Sequence, residues 1–165
     1  MKKIVKGKIE EMLNSLLQAT FQMNSHADNC AYWLAFNNFI NTQEIFHKKY
    51  AHKFPEWADL ISDLMIKLGV QPIRKNLEDN DYDYADIAEL FEDVETELEH
   101  YRETIYKIIN TIEIQSIREF ISFLDDYLLE LVTYVNQVSI WVDKANENLN
   151  NSSKFDRYFE SFTFI

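Results

Sequence analysis

The chain of 165 residues is poor in the residues that turns and redox frameworks require, with 2 glycines, 2 prolines and 1 cysteine. So little Gly and Pro excludes a turn-rich β-sandwich or a Gly-looped α/β fold. The single cysteine, Cys30, excludes an internal disulfide framework and any zinc site built from several cysteines; it is expected as a reduced core thiol. No apolar run approaches the ~18 residues of a membrane span. The basic start, Met1-Lys2-Lys3, leads into Lys6, Lys8, Glu10 and Glu11 instead of the apolar stretch of a signal peptide. Positive charge is scarce as well: 16 Lys and Arg stand against 28 Asp and Glu, a net charge of −12. Such a surface repels nucleic acid and anionic lipid and attracts cations. The expectation is a cytoplasmic protein without a membrane partner. What is plentiful is apolar surface, 47% hydrophobic and 15% aromatic residues, enough for one all-α domain with a sizeable core.

Four long segments carry apolar residues at helical spacing. They run from about Ile4 to Asn37, Ile40 to Leu68, Tyr84 to Thr111 and Ser116 to Lys144. Gly69 supplies a stop for the second segment, and Pro55 inside it is expected to kink or split it. The first and second segments meet almost without a loop, as do the third and fourth, whereas Gly69 to Asp83 is a long polar stretch. Short, long, short is the pattern of two antiparallel helix hairpins joined by one crossover, the ferritin-like variant of the four-helix bundle. That bundle is expected over residues 1–145. Residues 146–165 read as an Asn/Ser-rich linker and an aromatic tail, with Phe155, Tyr158, Phe159 and Phe162 on one face. The tail is expected to pack on its own bundle or on a neighbouring subunit.

Two Glu-x-x-His pairs, Glu44/His47 and Glu97/His100, place a carboxylate and an imidazole on one helix face, a ligand set for iron or manganese. An intra-bundle di-metal site would use Glu44, His47, Glu97 and His100. At about 100° per residue, however, His100 and the fourth-segment acid Glu130 each lie roughly 120° from their apolar stripes. A second cluster, His52, Glu56, Asp59 and Asp63, forms one ridge pointing away from the core: a solvated acidic face, or half of an inter-subunit metal site. His26 and His52 read as surface or boundary residues, and Trp33 as core.

The segment from Tyr32 to Glu44, YWLAFNNFINTQE, resembles the junction between the first two helices of the Dps family, the mini-ferritins of starved bacteria. In that family a His-Trp pair closes the first helix and a second His follows twelve positions after the first. An Asp and a further acid stand fifteen and nineteen positions beyond. Here the two histidine positions hold Tyr32 and Glu44, the two acids fall on Asp59 and Asp63, and Leu68-Gly69 stands where the family ends its helix. The third and fourth segments are similar in length and pattern to the family's last two helices.

The resemblance implies a homo-oligomeric shell, a dodecamer, that takes up Fe(II), oxidises it with peroxide or oxygen and stores it. The ferroxidase site would lie between subunits. Glu44, Asp59 and Asp63 would bind iron there, with His47 or Tyr32 assisting. The family's DNA-binding arm is represented only by Lys2, Lys3, Lys6 and Lys8 on a strongly negative body, so DNA binding is not expected. Two alternatives stay open. One is the intra-bundle di-metal protein; the other is a metal-free ferritin-fold scaffold acting through assembly or partner binding.

Overall fold

A computed structural model describes residues 7–113 and 118–165. The basic residues Lys2, Lys3 and Lys6 and the Ser116–Ile117 start of the fourth segment lie outside the described residues. Among those described, the chain is helical, without strands. Its helices are α1 (Lys8–Phe36), α2 (Ile40–Phe46), α3 (Lys53–Lys67), α4 (Ile87–Glu113), α5 (Arg118–Glu147) and α6 (Ser152–Tyr158), and the 3₁₀ turn Phe159–Phe162 follows α6. Among the described residues no helix is long and apolar enough to cross a membrane.

The helix ends follow from local chemistry. After α1, Asn38 takes a positive φ of 66°, and the amides of Asn38 and Phe39 bond back to the carbonyls of Ala35 and Leu34. Gly69 closes α3 in the same way, with φ 74° and bonds from Gly69 to Ile66 and from Val70 to Met65. Both are Schellman closures, which need a residue that tolerates the left-handed region. Asp86 opens α4, its carboxylate accepting the amides of Ala88 and Glu89 at 2.9 and 3.0 Å.

The second segment is split rather than kinked. Between α2 and α3 the chain makes a wide π turn, His47–Ala51, closed by His52 N–H on the His47 carbonyl at 3.1 Å. Pro55 accounts for this. A proline ring clashes with the carbonyl four residues back and is tolerated only in a helix's first turn, and the restart at Lys53 places Pro55 there.

Contacts fix the directions. His26 meets Asp93 and Thr20 meets Tyr101, so α1 and α4 are antiparallel. Phe91 meets Trp141 and Tyr101 meets Tyr127, so α4 and α5 are antiparallel. Phe46 packs on Trp141 while Trp57 packs on Tyr127, which sets α2–α3 antiparallel to α5. Phe46 also meets Phe91, and Phe54 meets Tyr101, so α2–α3 and α4 are parallel and the chain between them must return along the molecule's length.

That return, residues 70–86, is docked by amides on α1. Asn14 accepts the Ile73 amide, Gln18 accepts that of Lys75 and donates to the Asn76 carbonyl, and Gln22 does the same with the amide and carbonyl of Glu78. Each bond spans 2.9–3.1 Å and satisfies extended backbone that has no strand partner.

The tail docks on its own chain. Phe155 and Phe159 are fully buried against Phe91 and Trp141. The buried Gln137 amide uses both ends on the tail, donating to the Phe162 carbonyl and accepting the Phe164 amide. Two expectations are corrected here. Tyr158 is exposed rather than buried with Phe155 and Phe159, standing at the edge of their stripe where α6 ends. The linker is shorter than expected, since α5 runs on to Glu147 and Asn151 already caps α6 by accepting the Lys154 amide.

Candidate functional site

The expected ligands divide between surface positions. Asp59 and Asp63 are exposed one turn apart on α3, and neither side chain has a hydrogen bond or ion pair among the described residues. Their ridge neighbour Glu56 differs, being paired with Lys53 at 3.0 Å. Tyr32 is exposed on α1, as is Phe36 one turn later, at 87% of its surface. Glu44 is exposed on α2 in a groove of mixed charge that it shares with Lys48, Lys49, Arg157, Asp156 and Glu160.

His47 is the ligand candidate whose surroundings are most specific. Its Nε2 lies 3.5 Å from Asp28 Oδ1, and its ring stands edge-on to that of His52 with centroids 4.3 Å apart. The π turn causes this pairing. Residues five apart diverge around an α-helix, but an i→i+5 turn stacks them. Two imidazoles and the Asp28 carboxylate thus share one surface patch at the head of the ridge that leads to Asp59 and Asp63.

Among the described residues, Glu44, His47, Glu97 and His100 do not converge on one point. Glu97 and His100 approach each other only to 4.0 Å, with the His100 side chain 66% exposed. Glu130 accepts the Trp57 indole N–H at 2.9 Å and pairs with Lys53 at 2.6 Å. The Lys53 ammonium is half-buried, which disfavours its charge, yet Glu130 and Glu56 hold it above the usual lysine range. Where inward carboxylates would be needed, the space is filled by Tyr50, Phe54, Trp57, Tyr101 and Tyr127. Thr20 bonds to Tyr101 at 2.6 Å, and Tyr101 bonds in turn to Tyr127. Among the described residues, no carboxylate is buried.

A constellation that spacing did not announce lies where α1, α4 and the end of the return segment meet. His26 and Cys30 extend the Asn14, Gln18, Gln22 row of α1 by two further turns, and both are buried. His26 Nε2 donates to Asp93 Oδ2 on α4 at 2.8 Å and lies 3.8 Å from Cys30 Sγ. Tyr84 OH donates to the same Asp93 oxygen at 2.5 Å and is 3.5 Å from the sulfur. Burial on its own would lower the His26 pKa, but the hydrogen bonds to Asp93 and Cys30 outweigh it and raise it to about 10. The Asp93 carboxyl, raised by burial and lowered more by its bonds to His26 and Tyr84, ends below the usual range. Tyr84 is pushed far up by burial, by the charge of Cys30 and by its bond to Asp93. The i, i+4 spacing of His26 and Cys30 was the only sequence signal for this cluster; Asp93 and Tyr84 come from more than fifty residues away.

No protein-family model matches the chain, and no curated protein sequence matches it.

Proposed function

We propose that the chain is a ferritin-like four-helix bundle of the Dps-like kind, which self-associates through the outer face of α1 and α3 and takes up Fe(II) at sites completed between subunits. The observation that carries this reading is the π turn: it pairs His47 with His52 beside Asp28, at the head of a ridge whose last two carboxylates, Asp59 and Asp63, have no partner among the described residues. π bulges inside helices concentrate at functional sites because the widened turn costs stability. The helix directions and the long return segment suit the ferritin-like arrangement, and the exposed Tyr32, Phe36 and Leu60 suit burial against a second copy.

In this reading His47 and Asp28, 3.5 Å apart, form one half-site with His52 packed against the His47 ring, and Asp59 and Asp63 of a second copy form the other. Glu44, in the mixed-charge groove between α2 and α6, stands aside, and Tyr32 contributes to the contact. Imidazole and carboxylate suit iron, and carboxylates stabilise Fe(III) over Fe(II), which favours loss of an electron. Each Fe(II) gives one electron; peroxide takes two, with two protons, and leaves as water. The negative surface draws the cation in.

The test is an anaerobic Fe(II) titration followed by peroxide, read by absorbance and particle mass. Stoichiometric uptake on a large assembly is expected, with rapid oxidation lost in Asp59→Asn/Asp63→Asn and in His47→Ala. Unchanged kinetics in both variants would sink the assignment.

A second reading, an assembly scaffold without metal, is favoured by the aromatic filling of the interior around Tyr50, Trp57, Tyr101 and Tyr127. A large assembly that takes up no iron would select it.

A further inference from the structure

We propose that His26, Cys30, Asp93 and Tyr84 form a second metal site, separate from the surface ridge and built for a borderline-soft divalent cation such as zinc. Three side chains of three ligand chemistries converge here: imidazole nitrogen, thiol sulfur and carboxylate oxygen, with their ligand atoms all within 4.8 Å of one another. Among the described residues this is the one such group of His, Cys, Asp or Glu. A phenol oxygen from Tyr84 supplies a fourth donor 3.5 Å from the sulfur.

The dimensions suit the ion. Zinc–ligand lengths of about 2.0–2.3 Å put the donor atoms of a tetrahedral site roughly 3.3–3.7 Å apart. The observed separations are 3.8 Å from sulfur to nitrogen and 3.5 Å from sulfur to phenol. The edges ending on Asp93, 2.8 and 2.5 Å, are short because protons now bridge them. Replacing those protons by a cation requires the carboxylate to withdraw by roughly 0.5 Å from His26 and roughly 0.8 Å from Tyr84. Asp93 is the donor that can move, since its side chain is 37% exposed while that of His26 is 3%. The same exposure gives the ion its way in.

The donor set distinguishes this site from the surface patch. A thiolate next to an imidazole selects zinc or cobalt over a hard cation, whereas the ridge offers imidazole and carboxylate only. His26 Nδ1 is buried with no hydrogen-bond partner among the described residues, so the ring is held by what binds Nε2. On binding, the protons of the Cys30 thiol, of His26 Nε2 and of the Tyr84 phenol pass to solvent; the ion changes no oxidation state.

Cobalt(II) titration of the chelator-treated, reduced full-length protein under argon tests this. One Co(II) per chain with a thiolate-to-cobalt charge-transfer band is expected, and zinc should displace it. The band should vanish in Cys30→Ser. In Asp93→Asn, altered at the exposed edge of the site, affinity should fall at least ~10-fold. His47→Ala/His52→Ala should keep the band. A folded wild-type chain without the band at millimolar cobalt would overturn the proposal, and so would a band that survives Cys30→Ser or disappears in the surface double variant. Because the readout involves no iron and no oxidant, it is decided independently of the Fe(II) titration.

Discussion

Asp156 of α6 caps the start of α2, its Oδ1 accepting both the backbone amide and the hydroxyl of Thr42 at 2.8 Å. Its other oxygen accepts a hydrogen bond from the Asn41 side chain, Nδ2, at 3.1 Å. The tail therefore supplies the cap that α2 lacks locally, since its own N-cap position is Phe39, which has no side-chain acceptor. Asp156→Ala should cost about 1–2 kcal/mol, the usual worth of an N-cap. Phe159→Ala, which empties a fully buried aromatic site, should cost about 3–5 kcal/mol. Urea unfolding at constant m-value measures both. A neutral Asp156→Ala would mean that water serves α2 equally well.

Glu130 holds the buried Trp57 indole N–H and the Lys53 ammonium together. Glu130→Ala should destabilise by about 1–3 kcal/mol, because it leaves a buried donor unsatisfied. Glu130→Gln, which retains an acceptor for the indole, should cost less. Neither should alter metal stoichiometry. A change in stoichiometry would return Glu130 to the ligand role that its place on the fourth segment first suggested.

Much of the architecture was legible because it rests on local chemistry. Gly69 marks a helix end since it tolerates positive φ, and Pro55 forces a break since its ring clashes one turn back. The 3.6-residue stripes located the long helices to within a few residues. The tail was harder: Asn and Ser read as linker, but Asn151 is a cap that starts α6. Function was less legible still. The ridge spacing placed Asp59 and Asp63 on the outside, where they are, and Pro55 announced a break, but not that the break would be a π turn. The π turn rotates everything before it, and it brings His47 onto His52 and Asp28. The His26–Cys30–Asp93–Tyr84 cluster depends on the return segment meeting α1, a tertiary event that no spacing encodes.

The buried phenols make the fold sensitive to alkali. Burial above all pushes Tyr50, Tyr101 and Tyr127 above the usual tyrosine pKa near 10. Such groups bind a proton in the folded state after the unfolded chain has released it. Their stabilisation is therefore complete below pH ~10 and is lost as pH rises beyond it, at up to about 1.4 kcal/mol per pH unit for each phenol. Tyr50 adds a second effect, because its buried hydroxyl has no partner among the described residues. Tyr50→Phe should stabilise the protein by about 1 kcal/mol at neutral pH and flatten the alkaline loss by one proton. Unfolding free energies between pH 7 and pH 11 test both; an unchanged alkaline slope would mean that the phenol already ionises in the folded protein.

Asp59 and Asp63 set two like charges one turn apart, an arrangement that costs an isolated helix about 0.2–0.5 kcal/mol. With metal removed by chelator, Asp59→Asn/Asp63→Asn should then be as stable as the parent or slightly more so. With Fe(II) present the order should reverse, because only the parent gains the binding free energy, and an ion at a hundred times its dissociation constant adds about 2.7 kcal/mol. Thermal melts of the two proteins with and without anaerobic Fe(II) make the comparison. A crossing of the two orders would identify the pair as retained for a ligand at the expense of stability. Parallel shifts in both proteins would place the iron elsewhere.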